Sequence, residues 1–372
     1  MVQQGSKSKA DCKIALLITV ALRVFYSGIA ALFSTFSHPD PALIHSNALT
    51  ANLPAAGTLH YALLGIWERF DTLWYLHIAQ HGYDRPEAVV FCPLYPALIR
   101  TLGPLTSDIG AALLTSTVSS FFLFWGLLRL LQPEGCDQLP LRGLALFAAW
   151  PASFILFAGY TEALAIALVL WCILFAREER WGAAAACGFA AGLARSMGIL
   201  LIVPLALLAW RSRRSSRVWI AVSPLGTVAY WMWLRATGRP SVVAAYKNWH
   251  TDIVPPWTTL WRTFQYLFHK PDMLVILNVS ILIFFTVAAV IVRRRAEDRA
   301  FSAAVILQVL MRACVPPLAG AFRYVLPVHP GFLTMSDWSQ TMKRSHFIFL
   351  CAALFIFNLV WMWQFLNWSL VL

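Results

Sequence analysis

Apolar residues in this chain run in blocks of 18 or more. That is the length an α-helix needs to cross a hydrocarbon core of about 30 Å. Hydrocarbon offers no hydrogen-bond partners, so such blocks must satisfy their backbone internally, as helices. Composition agrees: of 372 residues, 59% are hydrophobic and 12% charged, with a mean hydropathy of +0.66. Soluble domains carry roughly 25% charged residues. Soluble, disordered and disulfide-stapled classes are therefore excluded. The expected fold is an all-α multi-pass membrane protein, with residues 1–372 forming a single integral-membrane domain.

Ten spans can be read, at 13–36, 107–131, 141–158, 160–177, 181–194, 197–210, 217–234, 273–292, 300–319 and 346–370. The fifth and sixth are short and read either as one long helix or as a re-entrant pair. The net charge is +12, but the basic residues cluster between spans: Lys7, Lys9 and Lys13; Arg177 and Arg180; Arg211, Arg213, Arg214 and Arg217; Arg293, Arg294, Arg295 and Arg299. This is the positive-inside pattern, which sets orientation and gives no reason to expect nucleic acid as a partner. Ten spans with both ends inside put these clusters on one side. The basic start resembles a signal peptide, but Arg23 interrupts the apolar run, which continues to Phe36 and so reads as a retained first helix. The seven cysteines form no CxxC pair, and neither a zinc site nor a disulfide framework is indicated.

This topology leaves three external segments, 37–106, 235–272 and 320–345, which hold most of the His, Tyr, Trp and Asp residues outside the spans. Chemistry is expected on that face. The first segment contains WERFDTLWYLHIAQHGYDRPEAVVFCPLYP at 67–96. Apolar residues at Phe70, Leu73, Trp74, Leu76 and Ile78 predict a helix lying in the interface, with Trp and Tyr as anchors. Asp71 stands in its first turn, and Gly82 is placed to stop it. A carboxylate at the membrane surface can serve as a general base, or it can simply cap its helix. His77 and His81 are spaced i, i+4, a metal-ligand spacing, but no third ligand is evident and interfacial hydrogen bonding fits as well. In the second segment, the run Tyr246 to Asp252 contains Trp249 and His250, and Trp257 follows. Such aromatics suit either a sugar-lined cleft or an interfacial belt.

The stretches FDTLWYLHIAQHGY and FCPLYP resemble the first luminal loop of the PIG-V family, the GPI mannosyltransferase II enzymes and their bacterial relatives. Phe70 stands where that family usually has tryptophan. WPASFILFAGYTEAL at 150–164 and GLARSMGIL at 192–200 resemble two further motifs of the family, with Trp150 and Met197 where asparagine is common. The order and spacing of all three agree over residues 67–200, and the C-terminal half resembles the family only in pattern.

The resemblance implies a GT-C-type membrane glycosyltransferase, a bundle of about ten transmembrane helices with the interfacial helix in its first external loop. It implies an inverting mannosyltransferase that takes mannose from dolichyl or polyprenyl phosphate and forms an α-1,6-type bond on a lipid-linked acceptor at the external or luminal face. That acceptor would be a GPI precursor in a eukaryote and an unidentified glycolipid or glycan in a bacterium. Asp71 takes the role of base. No metal or other cofactor is required, because the donor carries a good leaving group and arginine can hold its phosphate. Charges in spans are costly and usually functional. Arg195 and Arg323 are expected to bind the donor phosphate, with Glu162 as a polar partner, although salt bridging and snorkelling serve equally for each. His77, His81, Tyr83, Glu162, Trp249 and His250 are expected around the substrates. Arg23 and Arg312 have no assigned role. The partners expected are membrane lipids, the lipid-linked donor and acceptor, and a small membrane subunit.

Two other classes fit the hydropathy. A lipid or solute transporter predicts charges paired at the midplane and a repeat between halves, and neither is evident. A non-catalytic scaffold subunit predicts that Asp71 is dispensable. Arginine outnumbers lysine, alanine is abundant, and the sequons at Asn278 and Asn367 fall inside spans. These features favour a bacterial plasma membrane over the endoplasmic reticulum.

Overall fold

The computed structural model describes residues 2–37, 57–131, 141–210, 217–291 and 295–369, together with 43, 44 and 49. The basic residues Arg211, Arg213, Arg214, Arg293 and Arg294, the side chains of Lys7, Lys9 and Arg217, and Cys136 lie outside the described residues. The principal helices are α1 (Val2–Phe36), α2 (Asp71–His81), α3 (Leu94–Leu102), α4 (Asp108–Leu131), α5 (Leu141–Ala149), α6 (Glu162–Arg177) and α7 (Trp181–Ala194). There follow α8 (Ile202–Trp210), α9 (Leu225–Ala236), α10 (Pro256–His269), α11 (Met273–Ile291), α12 (Ala296–Leu310), α13 (His329–Gln340) and α14 (Arg344–Leu366). Among the described residues the all-α reading holds, apart from one antiparallel pair of two-residue strands, β1 (Asp252–Ile253) and β2 (Arg312–Ala313). Among the described residues, three helices are long and apolar enough to cross a membrane unaided, over Ala10–Phe36, Asp108–Leu131 and Arg344–Leu366. The structure is that of a membrane protein, and the count of ten spans is not reached by helices of this length.

The chain divides into two compact units. The first comprises Met1–Gly82, Leu94–Leu170 and Ser339–Val371. Here the expected span 141–158 is a helix only as far as Ala149; beyond Trp150 the chain turns irregular, with a 3-10 segment at Ser153–Phe157. Non-helical backbone at membrane depth is tolerated only where protein groups satisfy it. Four side chains do so here. Asn358 Nδ2 donates to the Trp150 carbonyl at 2.7 Å and Ser120 Oγ to that of Leu156 at 2.8 Å. An Arg23 nitrogen donates to the Phe157 carbonyl at 2.5 Å and Ser116 Oγ to that of Tyr160 at 3.1 Å. Arg23 thus gains a role as a backbone cap, and its guanidinium lies 5.4 Å over the Trp67 ring.

The same unit overturns the placement of both chain ends inside. Tyr26 Oη donates to Asn358 Oδ1 at 3.1 Å, Phe33 meets Trp363 at 4.9 Å, and Ser37 Oγ donates to Asn367 Oδ1 at 2.8 Å. Residue numbers rise together along the two helices, so α1 and α14 run parallel. The end of α14 therefore lies with the end of α1, at the external end. Its start lies at the opposite end, where Arg142 donates to the Ser339 carbonyl and, at 3.3 Å, to that of Met342. Residues 339–345, which lead into α14, are accordingly not part of an external loop.

The second unit comprises Tyr83–Pro93 and Trp171–Trp338. The doubt over 181–210 resolves against one long helix. At about 1.5 Å per residue the 14 residues of α7 reach only about 21 Å. The chain breaks at Arg195, and a Cβ at Gly198 would lie 2.3 Å from the Gly192 nitrogen, so the returning segment lies directly on α7. Glycines also let α9 close on α7: a Cβ at Gly226 would sit 2.0 Å from the Phe189 carbonyl oxygen. At the end carrying the basic loops, Arg177 pairs with Asp298 and, at 3.4 Å, with Glu297, while His329 Nε2 lies 3.0 Å from Asp298 Oδ1. His329 is thus at the internal end of this unit, a second correction to the reading of 320–345.

Candidate functional site

Asp71 opens α2 but does not cap it. The N-cap position is Phe70, whose φ of 47° and ψ of −119° are strained for an aromatic residue and supply no side-chain cap. Strain of this kind persists only where the surroundings over-determine it, and here they do. The Phe70 ring packs on Phe365 at 5.5 Å and Trp368 at 5.3 Å. The Asp71 amide donates to Tyr160 Oη at 3.3 Å. The turn is closed by the Thr72 amide on the Arg69 carbonyl and the Leu73 amide on that of Phe70, each at 3.0 Å. Gly82 ends the helix at φ 74°, its amide on the Ile78 carbonyl at 2.8 Å.

The helix is not laid in the interface with aromatic anchors. Trp74, Tyr75, Leu76 and Ile78 are buried within the protein, Tyr75 meeting Tyr95 of α3 at 4.9 Å. Its apolar residues surround the axis instead of forming one stripe, so the helix is enclosed as far as Ala79, with Gln80 and His81 exposed. His77 and His81 stack on the outer turns with ring centroids 4.8 Å apart. Among the described residues no group of three His, Cys, Asp or Glu is placed to hold a metal.

Two motifs that are remote in sequence meet at this turn. Gly159 lies so close to Thr72 that a Cβ there would sit 2.5 Å from Thr72 Cγ2, and Tyr160 next to it accepts the Asp71 amide. Gly159→Ala should therefore displace the turn, costing about 1–3 kcal/mol as an overpacking change. Adding Thr72→Ser removes the Cγ2 methyl and should restore most of the loss. Thermal unfolding of the single and double variants checks this, and a double variant no better than Gly159→Ala would refute it. Glu162, one turn further on, is 3% exposed. Glu162 and Arg23 both act electrostatically on the Tyr95 hydroxyl.

Two residues beside Asp71 carry no signal that sequence reasoning used. Burial pushes the Glu68 carboxyl up to about 7, with Arg69 pulling the other way. Arg69 itself is 1% exposed. Its Nε donates to the Leu366 carbonyl at 2.9 Å and an Nη2 proton to Tyr61 Oη at 2.7 Å. Its Nη1 reaches the carbonyls of Glu68 at 3.0 Å and Gly65 at 3.4 Å. The guanidinium is stacked 4.8 Å from the Trp368 ring and 5.7 Å from that of Tyr61. This arginine fastens the residues ahead of Asp71 to the end of α14.

The second unit holds Tyr83, Arg195, Arg323, Trp249 and His250. Three arginines gather about one phenol: Arg195 at 5.9 Å, Arg312 at 4.5 Å and Arg323 at 5.8 Å from the Tyr324 ring centroid. Arg312 also lies 5.1 Å from the Tyr246 ring. Cation–π contact offsets part of their mutual repulsion. Three positive charges are thus brought together around one ring. Arg312 is the member without an assigned role in the sequence reading, and its position inside an apolar stretch was the signal that marked it. Cys92 of the FCP motif lies close enough to Arg195 to feel its charge and beside Ser196, but burial still pushes its thiol up to about 12. It is a packing residue, not a nucleophile.

Tyr83 and Trp249 serve the same neighbourhood structurally. Tyr83 Oη donates to the Phe91 carbonyl at 2.7 Å, and Arg239 Nε donates to the Tyr83 carbonyl at 2.9 Å. Trp249 Nε1 donates to the Glu87 carbonyl at 3.1 Å and its ring meets Phe91 at 5.6 Å. His250 follows in a left-handed conformation, φ 49°, and is exposed.

Comparison with known proteins bears on these motifs. GPI alpha-1,6-mannosyltransferase 2 of Cricetulus griseus is 30% identical over 165 residues, 41% of this chain and 33% of its own length. The protein of that name from Homo sapiens is 30% identical over 205 residues, 51% of this chain and 41% of its own. The chain is related to the PIG-V family. It spans less than half the length of these curated relatives. No family model matches it, and no solved structure does.

Proposed function

We propose that this chain is a membrane mannosyltransferase that uses a polyprenyl phosphate mannose donor. The observation that carries the reading is the gathering of Arg195, Arg312 and Arg323 around Tyr324, an arrangement suited to a phosphate group. The names of the two relatives support mannose as the sugar and an α-1,6 bond as the product. Asp71 supplies the base. In the inverting step, Asp71 takes the proton of the acceptor hydroxyl while the acceptor oxygen bonds to C1 of mannose. The bond from C1 to the phosphate oxygen breaks, its electron pair leaves with the polyprenyl phosphate, and arginine charge stabilises that dianion. A phosphate leaving group and a carboxylate base are sufficient for this chemistry, so the reading calls for no metal. The acceptor is a lipid-linked glycan, of GPI type in a eukaryotic membrane and of another type in a bacterial one. Membrane lipids and a small membrane subunit are its proposed partners.

The test is incubation of the reconstituted full chain with labelled polyprenyl phosphate mannose and a lipid extract, followed by identification of the labelled product. Arg312→Gln should raise the donor KM about tenfold or more, as loss of a charge-assisted contact of about 1.5–3 kcal/mol requires. An unchanged donor KM would remove the arginine cluster from donor binding. Absence of any labelled product with the parent chain would sink the reading.

A further inference from the structure

Helix α10 is amphipathic the wrong way round for a helix that covers a protein. Trp257, Leu260, Trp261, Phe264 and Phe268 are between 51% and 77% exposed. Trp257, Trp261, Phe264 and Phe268 follow the i, i+4, i+7, i+11 spacing that draws one stripe along a helix. The rings form a continuous surface, Trp261 stacked on Phe264 at 5.7 Å and Phe264 on Phe268 at 6.4 Å. The face turned to α12 and β2 is small and polar, with Thr259 and Thr263 buried. An aromatic stripe of this size facing away from the protein marks an interaction surface.

The neighbouring chain indicates what covers it. Only Pro271 and Asp272 separate Lys270, the last residue associated with α10, from α11, whose exposed residues Met273, Leu274 and Ile276 are also apolar. Asp272 makes the corner rigid: its Oδ1 accepts the Leu274 amide at 2.9 Å, and Tyr266 Oη donates to its Oδ2 at 3.4 Å. The stripe is therefore continuous with the exposed apolar surface at the start of the next apolar helix. Tryptophan at this level favours the interface between headgroups and acyl chains. Lys270 caps this helix, as expected beside lipid phosphates, while Arg262 on the helix pairs with Asp252 at 3.1 Å.

We infer that α10 is an interfacial helix lying in the external leaflet, its aromatic stripe seated in lipid and not against another protein. The interfacial helix expected in the first external segment is thus found in the second. It has a consequence for the arginine cluster. Residues Asp252 and Ile253, just ahead of α10, pair with Ala313 and Arg312, so the lipid contact of α10 sets the depth of Arg312. That consequence rests on the proposed function; the lipid contact itself does not.

The test uses the full chain in phosphatidylcholine vesicles containing lipids brominated either near the headgroup or near the chain end. Tryptophan quenching is compared between the parent and the double variant Trp257→Phe, Trp261→Phe. The variant keeps the stripe apolar, and subtraction isolates two of the 17 tryptophans. An interfacial helix sits about 5–10 Å into the headgroup and acyl boundary. The variant should therefore lose shallow-bromine quenching and little or none of the deep. A difference signal unmoved by bromine at either depth means that protein, such as a second copy, covers the stripe, and overturns the inference. Stronger quenching by deep bromine also overturns it, since the helix would then lie within the hydrocarbon. Neither outcome depends on whether the chain transfers mannose.

Discussion

On the proposed function, Asp71→Asn should lower the kcat of mannose transfer by about 10²–10⁴-fold, the contribution usual for a positioned general base. Asparagine fills the same volume, and it keeps the backbone amide that donates to Tyr160 Oη at 3.3 Å. The strained turn at Phe70 is held by Phe365, Trp368 and the Arg69 carbonyl, none of which the substitution touches. The donor KM should stay within about twofold, since donor binding is assigned to the arginines, and thermal unfolding should shift by less than about 1 kcal/mol, as for a substitution that disturbs no packing. Steady-state kinetics with varied donor separate the two parameters. A kcat within a factor of two of the parent would mean that Asp71 only begins its helix, and the base would have to be sought elsewhere, with Glu68 the nearest carboxylate in the chain.

Much of the local structure is legible in the sequence. The run from Phe70 to Gly82 predicts a helix with its acidic residue in the first turn and glycine at its end, and these are the residues found there. What it does not reveal is the enclosure of that helix. Apolar residues at positions 73 to 76 and 78 fit either an interfacial stripe or burial on all sides, and only the packing of Tyr75 on Tyr95 decides between them. The periodic stripe that does point away from the protein belongs to α10, where Trp257, Trp261, Phe264 and Phe268 are regularly spaced. Orientation is a similar case. Counting spans puts both ends inside, yet Lys343 and Arg344 immediately precede the last span and by the positive-inside pattern mark its start as internal. The parallel course of α1 and α14 agrees with those two residues and not with the count.

The candidate site was legible where charge is scarce. In a chain this apolar, Asp71, Arg195 and Arg323 stand out because each is costly to bury. Arg312 carries the same signal, but nothing in the sequence places it beside Tyr324; that follows from the β1–β2 pairing and the turn at Ala321–Tyr324. Arg69 is harder to read still. A buried arginine is normally recognised through an acidic partner, whereas this one is satisfied by three carbonyls and a phenol. Carbonyl groups leave no trace in the amino-acid sequence.

Arg69→Met should destabilise the chain by about 3 kcal/mol or more, seen as a large fall in Tm in detergent. Methionine spares the cost of burying a charge and fills most of the space. It leaves the Leu366 and Glu68 carbonyls and Tyr61 Oη without this donor, while the Gly65 carbonyl keeps the Glu68 amide at 3.0 Å, and a buried acceptor left unmet costs about 1–3 kcal/mol. It also removes the guanidinium from between Trp368 and Tyr61, contacts of about 0.5–2 kcal/mol. Arg69→Lys should fare little better. A single ammonium cannot reach acceptors spread around a planar fork, and the stacking is lost as well. The effect on transfer should fall on kcat more than on donor KM, because Arg69 holds the turn that carries Asp71 and lies in the unit that lacks the arginine cluster. Removing its charge also takes away the influence that opposes burial at Glu68, so that carboxyl should titrate above about 7 in either a Met or an Ala variant. A Met variant that unfolds within about 1 kcal/mol of the parent, with kcat intact, would show that Trp368 and Phe365 hold the turn without the arginine.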